Sequence, residues 1–215
     1  MIENFYDIPS FVISLPNSNR RELCKSRLDE QGIEFEWFDG INVDDTPQSV
    51  FDDEKITLTH KSSKGCALAH KRLWQYIVNN NIKQAIIYED DIVFHPRFND
   101  VGINFFWKYT PKVNSMIFMG YCCFWAKMGE RHILSGFPLA THAYYLTCDV
   151  AKWFLDNFDI CDQNIDIHMR KLYNTVHHDW KSYVWWEGDD RVEGNKQTKL
   201  GVCFNGLIFQ DHENQ

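Results

Sequence analysis

The sequence lacks the features that would place it in a membrane or on nucleic acid. No apolar run is long enough to span a bilayer, and the first residues, Met1 to Asn4, show no signal-peptide pattern. The net charge is −8 and no block of basic residues stands out, which excludes the usual electrostatic footprint of a nucleic-acid-binding protein. No linker and no internal repeat interrupts the 215 residues, so the sequence predicts one domain over residues 1–215.

The cysteines show no pattern of disulfide or zinc-finger proteins. Their number, seven, is odd, and no Cys-x-x-Cys pair occurs. Such a set is typical of reduced thiols in a cytosol-like compartment. We therefore expect a cytoplasmic protein, in a bacterial cytosol or in the cytosol of a virus-infected host.

Aromatic residues are abundant, and strands alternate with helices. Tryptophan is unusually frequent, with eight residues; some of the aromatic side chains must belong to the core, but so many rings also suit a site that stacks apolar sugar faces. The first elements form a strand–helix–strand unit, which favours parallel pairing: a strand at Phe11–Leu15, a helix at Arg20–Gln31 and a strand at Phe35–Phe38. The later elements that we predict are a helix at about 66–79, strands at 85–89, 115–120, 140–146 and 207–209, and helices near 149–157 and 165–173.

These elements predict an α/β fold with an open, mostly parallel sheet flanked by helices. In two stretches the apolar residues show neither helical nor strand periodicity. The acidic residues 42–60 are interpreted as a surface excursion, and the Trp-rich residues 177–199 as a mobile loop. In such sheets ligands bind beyond the carboxyl ends of the strands. The turns after Leu15, Phe38 and Tyr88 would all lie at that edge.

The acidic triplet Glu89-Asp90-Asp91 is the most informative feature of the chain. It follows the apolar run Ala85–Tyr88 and precedes another, Ile92–Phe94. Unpaired carboxylates are too costly to bury, so either the strand ends at Glu89 or a positive group meets the triplet. A divalent metal with oxygen ligands, Mn²⁺ or Mg²⁺, would meet both demands. A solvated acidic turn after a strand is the competing interpretation.

Four segments carry a resemblance to a known family. They are Val12–Leu15 with Arg20 and Arg21, then Phe35–Gly40, then Gly65–His70 running to Trp74, and Ile86–Asp91. In this order they resemble glycosyltransferase family 25, which includes bacterial lipooligosaccharide galactosyltransferases and collagen hydroxylysine galactosyltransferases. The similarity extends to about residue 173 and is most specific where Gly-Cys-x-x-x-His is followed by the acidic triplet. Ser14 departs from the family, which usually has Asn there, and Ala69 stands where Ser is commoner.

The resemblance implies a GT-A fold, a UDP-hexose donor, Mn²⁺ dependence and inversion at the anomeric carbon. Within it, Glu89 and Asp91 form the acidic pair: we expect Asp91 to bind the metal and Glu89 to contact the metal water or the ribose. Asp90 is expected to point the other way, towards the donor or a helix end. Inversion needs a general base on the acceptor hydroxyl. Asp166, at a predicted helix start, is the candidate, although it could merely cap that helix; Asp162 is the alternative.

Further residues are candidates for binding the nucleotide sugar, each with a structural alternative. Those at predicted strand ends or helix starts are Ser14, Leu15, Arg20, Asp39, Lys64 and Gly65. Lys64 and Gly65 are expected to precede a helix, whose free N–H groups favour a phosphate. His70 and His142 could contact the donor or could be core residues.

The end of the chain adds two more expectations. His212 is a candidate third metal ligand, and a disordered tail is the alternative. Trp180, Trp185 and Trp186 could stack on the acceptor within a lid or could pack in the core.

The leading functional hypothesis is a metal-dependent, inverting transferase that uses UDP-galactose or UDP-glucose. The acceptor would be a lipooligosaccharide sugar or a hydroxylysine-type side chain. One alternative is a catalytically inactive nucleotide-sugar or carbohydrate-binding module of the same fold, which would have no reason to keep Glu89, Asp91 and Asp166. A metal-dependent phosphoesterase or nucleotidyltransferase is the other alternative, but the only adjacent histidines, His177 and His178, lie in a poor context for it.

Overall fold

The computed structural model describes residues 4–95, 98–99, 114–120, 132–186 and 208–211. The helices are α1 (Arg21–Glu30), α2 (Gln48–Asp53), α3 (Lys61–Asn79), α4 (Cys148–Asp156) and α5 (Ile165–Thr175), with short 3-10 turns at Phe5–Asp7 and Val43–Asp45. The strands are β1 (Ser10–Ser14), β2 (Glu36–Asp39), β3 (Gln84–Glu89), β4 (Ile92–Phe94), β5 (Ser115–Phe118), β6 (His132–Ser135), β7 (Ala143–Thr147), β8 (Lys181–Trp186) and β9 (Ile208–Gln210).

Seven strands form the central sheet, in the order β2-β1-β3-β7-β5-β8-β6. The pairs β1–β2, β1–β3 and β5–β8 are parallel, while β3–β7, β5–β7 and β6–β8 are antiparallel. The predicted α/β architecture, a sheet flanked by helices, is confirmed, but three of the six described strand pairs are antiparallel, so the sheet is mixed rather than mostly parallel. The parallel pairing expected from the strand–helix–strand opening is found in β2-β1-β3, which is the part of the sheet that carries the acidic triplet.

The strands of this parallel part are buried on both faces. On one face, Phe11 and Ile13 of β1 pack into a core that also contains Leu73 and Trp74 of α3. On the other face, Val12 packs in a second core with Ile86 and Tyr88 of β3 and with Cys24 and Leu28 of α1. Helices on both faces explain why these strands have nearly continuous apolar sequences.

The ends of the parallel strands meet at one edge, as predicted. Ser14 of β1 lies in register with Asp39 of β2, and Ile13 lies in register with Glu89 of β3. β3 ends at Glu89, the chain turns through Asp90 and Asp91, and it resumes as β4 in a separate two-stranded sheet with β9. The structure combines the two alternatives for the triplet: the strand ends at Glu89, and a positive group, Arg20, meets Asp90 and Asp91. Both aspartates are buried, so the competing interpretation of a solvated acidic turn was wrong.

Three predictions about individual segments were wrong. The third helix begins at Lys61 rather than near Cys66, so Lys64 and Gly65 lie inside it. The stretch 42–60, interpreted as a surface excursion, contains α2 and contributes Phe51, Ile56 and Leu58 to the core. Residues 181–186 form β8 and not a loop, while the rest of the proposed lid, with Glu187, Asp189 and Asp190, lies outside the described residues. Among the described helices, none is both long enough and apolar enough to cross a bilayer.

Candidate active site at the edge of the parallel strands

Asp90 binds the beginning of α1. One of its carboxylate oxygens accepts hydrogen bonds from the hydroxyls of Ser14 (2.6 Å) and Ser18 (3.0 Å), and the other lies 3.2 Å from Nε of Arg20. Of the two contacts expected for Asp90, the structure shows the one with a helix end. Arg20 also approaches Asp91, with 3.7 Å between Nη1 and Oδ2, and its side chain stays 35% exposed. This partly exposed guanidinium lies where an incoming anion could reach it.

Glu89 lies on the other side of the turn, against α3 and the segment that precedes β7. Its Oε1 accepts a hydrogen bond of 2.5 Å from the hydroxyl of Thr141 and lies 3.2 Å from Nε2 of His70. Burial raises the pKa of Glu89, but the hydrogen bonds from His70 and Thr141 and the positive potential of the imidazoles outweigh it, so the pKa is lowered. Glu89 is therefore ionised at neutral pH.

Asp91 has the opposite electrostatic behaviour. Burial, and then the charge of Glu89, raise its pKa to about 6, although the hydrogen bond from Gln210 (2.8 Å) and the charge of Arg20 act against the shift. The half-buried Glu89 thus acts on the charge of the buried Asp91, and the two carboxylates supply the hard oxygen donors that suit Mn²⁺ or Mg²⁺. The residues present therefore fit the predicted metal.

His70 is both a core residue and a contact of the acidic pair. It is fully buried, with Nδ1 2.8 Å from the hydroxyl of Tyr144, which accepts a hydrogen bond of 3.0 Å from the indole of Trp74. Of the two interpretations offered for His70, the structure shows the core residue, and contact with the donor stays a prediction. His70 is a satisfied core histidine whose second nitrogen holds Glu89 in place.

Asp166 lies in the first turn of α5 and is tied to the same edge. Its Oδ2 accepts a hydrogen bond from the backbone N–H of Ala140 (2.9 Å), and its Oδ1 accepts one from the N–H of Ile167 (2.8 Å). Ala140 has a left-handed backbone, with φ of 91°, and the next residue, Thr141, binds Glu89. Asp166 is therefore not the N-cap residue of α5, which is Asn164, but its carboxylate does accept a hydrogen bond from an N–H of the first turn. The contact with Ala140 links it to the segment that binds Glu89.

Cys66 lies close to Glu89 and is influenced by the charges of all three carboxylates. Burial raises the pKa of its thiol well above the ordinary value, and the negative charges of Glu89, Asp166 and Asp91 raise it further. Sequence reasoning noted Cys66 only as part of a motif and did not single out Thr141. The position of Thr141 beside His142 was the available signal, but only the β3–β7 pairing reveals its contact with Glu89.

Several predicted binding residues have structural partners. The ammonium of Lys64 lies 2.6 Å from Oε1 of Gln48 and over the ring of Phe51. Gly65 lets α3 approach the carbonyl of Ile41, which would be only 2.5 Å from a Cβ at residue 65. The expected free helix start is therefore absent at Lys64 and Gly65, because both lie inside α3.

Other candidates lie at the margin of the edge or beneath it. Asp39 pairs with Arg21 at 2.9 Å and stays 70% exposed, and Leu15 is 42% exposed. His142 is buried, with Nε2 3.1 Å from the carbonyl oxygen of Ile208, so it supports β9. Asp162 is exposed and belongs to a different region, where it acts on Cys161 and His168.

The last described residues fold back onto the triplet. The N–H of Asp211 donates to the carbonyl of Asp91 (2.6 Å), and its carboxylate pairs with Arg27 (2.6 Å). His212, the predicted third metal ligand, lies outside the described residues. Trp180 is 2% exposed in the core beside Phe154, which favours packing over acceptor stacking for this residue.

A comparison with protein families decides the classification. The model of "Glycosyltransferase family 25 (LPS biosynthesis protein)" matches residues 7–122, more than half of the chain. The chain belongs to glycosyltransferase family 25. The match includes β1, α1, β2, α3 and β3, and hence the whole acidic triplet of this family 25 member.

Individual relatives agree with this assignment. Over 117 residues, 51% of this chain and 36% of the relative, the family 25 member is 31% identical to a "Putative glycosyltransferase" of Acanthamoeba polyphaga mimivirus. Over 89 residues, 39% of this chain and 34% of the relative, it is 29% identical to "Lipooligosaccharide biosynthesis protein lic2B" of Haemophilus influenzae. The chain thus spans about a third of the length of these relatives. A crystal structure of "a glycosyltransferase involved in the glycosylation of the major capsid of PBCV-1" is also similar, with a TM-score of 0.43, 13% identity and coverage of 81% and 80% of the two chains.

Proposed function

We propose that this chain is the donor-binding and catalytic domain of an inverting hexosyltransferase, which transfers galactose or glucose from a UDP-sugar to a hydroxyl group of an acceptor. One observation carries the proposal. Glu89 and Asp91 interact electrostatically at the carboxyl edge of the parallel strands. The charge of Asp166 acts together with theirs to raise the pKa of the Cys66 thiol. An acidic pair beside a third carboxylate is what a metal-assisted transfer with a general base requires.

The position of the acidic pair supports a diphosphate-containing donor. In open α/β sheets ligands bind beyond the carboxyl ends of the strands, and Ser14, Asp39 and Glu89 lie at those ends. The partly exposed guanidinium of Arg20, between Asp90 and Asp91, supplies a positive group for a phosphate. The choice of uridine and of a hexose rests on membership of the family.

Mn²⁺ or Mg²⁺ would be held by Glu89 and Asp91, whose carboxylate oxygens form a hard donor set. When bound, the metal acts as a Lewis acid that stabilises negative charge on the departing diphosphate. Asp90 does not belong to this set, because Ser14, Ser18 and Arg20 already bind its two oxygens. Its role is to fix the turn that presents its neighbours.

Asp166 is the proposed general base. Two backbone N–H groups orient its carboxylate, and each oxygen keeps a second lone pair that can accept a proton from the acceptor hydroxyl. Because Ala140 binds Asp166 and Thr141 binds Glu89, two consecutive residues couple the base to the acidic pair. This coupling sets the separation between the attacking hydroxyl and the donor.

The acceptor is proposed to be a sugar of a lipooligosaccharide, in keeping with the name of the Haemophilus influenzae relative. A hydroxylysine-type side chain is the second acceptor class implied by the family. Both present a hydroxyl nucleophile, so the same base serves either one.

The proposal is tested with a panel of UDP-, GDP- and CDP-sugars, measured by thermal shift with and without Mn²⁺. We expect UDP-galactose or UDP-glucose to raise the melting temperature only when Mn²⁺ is present, and the same pair to support release of UDP. Equal shifts with all three nucleotides, or shifts that ignore Mn²⁺, would contradict the assignment. Binding of a UDP-sugar without turnover on any hydroxyl acceptor would favour the inactive binding module.

A further inference from the structure

A second set of potential metal ligands lies beside the acidic pair. Cys66 and His70 are one helical turn apart on α3, and Glu89 ends the neighbouring strand β3. The thiol, imidazole and carboxylate ligand atoms of these residues all lie within 4.8 Å of one another. They therefore converge on one small volume.

The separation of the nitrogen and oxygen atoms suits a tetrahedral metal. Nε2 of His70 lies 3.2 Å from Oε1 of Glu89. Bonds of about 2.0–2.2 Å at tetrahedral angles place two such ligands roughly 3.3 Å apart around zinc. We infer that Cys66, His70 and Glu89 form a zinc-selective site, distinct in its donor set from the proposed Mn²⁺ site.

The surroundings provide the supporting contacts that such ligands need. A histidine that binds a metal through one nitrogen usually donates its other N–H to a fixed acceptor. Nδ1 of His70 lies 2.8 Å from the hydroxyl of Tyr144, which is itself held by the indole of Trp74. Thr141 similarly orients Glu89 through a hydrogen bond of 2.5 Å.

The donor chemistry separates this site from the carboxylate pair. A thiolate and an imidazole favour zinc, whereas a purely carboxylate set favours Mn²⁺ or Mg²⁺. Three protein ligands leave one coordination position open for water or a substrate atom. The Cys66 thiol loses its proton to solvent as the metal–sulfur bond forms.

Glu89 belongs to both sets, so the two metals compete. Zinc at Cys66 and His70 withdraws Glu89 from Asp91 and thereby inhibits transfer that depends on Mn²⁺. This regulatory consequence rests on the proposed function. Zinc binding itself does not, because its ligands are defined without reference to any donor.

The test uses Co²⁺ as a spectroscopic probe for zinc in the whole chain, kept reduced with a phosphine. Cobalt bound to a thiolate gives a sulfur-to-metal charge-transfer absorption that carboxylate ligands cannot give. We expect this band to saturate at one equivalent of Co²⁺ and to disappear when Zn²⁺ is added. A chain that shows no such band overturns the inference.

Variants locate the thiolate that produces the band. Cys66→Ser should abolish the band and weaken zinc binding by more than about 100-fold, beyond the 10–100-fold typical of changes to supporting contacts. Cys148→Ser is the matched control, because Cys148 is also a half-buried free thiol on a helix, and it should leave the band intact. A band of equal intensity in Cys66→Ser would overturn the site.

Folding and function are checked separately. Melting temperatures without metal establish that Cys66→Ser is folded, and Tyr144→Phe, which removes only a supporting hydroxyl, should weaken zinc binding about tenfold. In transfer assays, added Zn²⁺ should inhibit the wild type and spare Cys66→Ser. If the cobalt band shows the expected saturation, displacement by zinc and loss in Cys66→Ser in a chain that transfers no sugar, the zinc site is supported and the proposed function is contradicted.

Discussion

The hydroxyl of Ser14 donates a hydrogen bond of 2.6 Å to a carboxylate oxygen of Asp90, which joins the end of β1 to the turn after β3. Both side chains are buried. Ser14→Ala should lower the free energy of unfolding by about 1.5–3 kcal/mol, the range for hydrogen bonds to charged groups. Urea denaturation measures the change. Ser26→Ala, which removes an exposed serine hydroxyl of α1, should change stability by less than about 0.5 kcal/mol; equal losses in both variants would refute the role of the Ser14 bond.

Arg27 should contribute more to stability than the other basic residues of α1. Its guanidinium donates to the carbonyl of Ile92 (2.9 Å) and pairs with the buried Asp211 (2.6 Å). Arg27→Ala should cost about 2–3 kcal/mol in denaturant unfolding, because it leaves a buried carboxylate without its cation. Lys25→Ala breaks the exposed pair with Asp29 on the same helix and should cost only about 0.3–0.5 kcal/mol. If Arg27→Ala and Lys25→Ala lower the free energy of unfolding by equal amounts, Arg27 does not anchor the segment that follows β9.

Asp91→Asn should separate stability from metal-dependent activity. The pKa of Asp91 is raised to about 6, so the metal-free folded protein loses stability as the pH rises from about 4 through 6 and this carboxyl becomes charged. At pH 7.5 without metal, the neutral variant should therefore melt at least about 2–4 °C above the wild type, the shift for roughly 1 kcal/mol in a domain of this size.

The pH dependence provides the control for Asp91. At pH 4.5 the wild-type carboxyl is protonated in the folded state, so the two melting temperatures should converge. The variant should also lose release of UDP in the presence of Mn²⁺. Retained release would remove Asp91 from the metal site, and a melting difference that does not change with pH would contradict its electrostatic description.

Asp166→Asn should abolish transfer and retain UDP binding. The amide oxygen of Asn can still accept one of the two backbone hydrogen bonds, so the fold is preserved, but the amide cannot take up a proton. A loss of kcat of about 100-fold or more is expected, at an unchanged Kd for UDP. Asp162→Asn is the control, because Asp162 is exposed in a different region, and it should turn over normally. If Asp162→Asn is the inactive variant and Asp166→Asn is active, Asp162 is the base instead of Asp166.

The sequence predicted those parts of the fold whose signals are local. The β1-α1-β2 unit and the end of β3 at Glu89 were predictable because their apolar runs are bounded by turn residues and charges. The start of α3 was missed because Lys61–Lys64 is polar and His60 provides no side-chain cap. β8 was missed because its pairing with β5 joins residues more than sixty positions apart, and no local pattern reports such pairing.

The same division applies to the candidate site. Glu89 and Asp91 could be inferred from charge in an apolar context, which is a local property. The link from Asp166 through Ala140 and Thr141 to Glu89 depends on a left-handed residue and on antiparallel pairing with β7. These are tertiary features, so the sequence could suggest Asp166 as a candidate base but could not reveal its link to Glu89.

The pairing of β4 with β9 has a consequence for how the chain matures on the ribosome. Gln210, 119 positions along the chain from Asp91, donates a hydrogen bond to its carboxylate, and the N–H of Asp211 donates one to its carbonyl. During synthesis, the acidic turn therefore emerges long before the residues that complete its surroundings. A nascent chain arrested after residue 122 contains the segment matched by the family model, yet it lacks the two residues that bind Asp91 from β9 and the residue after it. The surroundings of the acidic turn are therefore complete only after Gln210 and Asp211 have been synthesised.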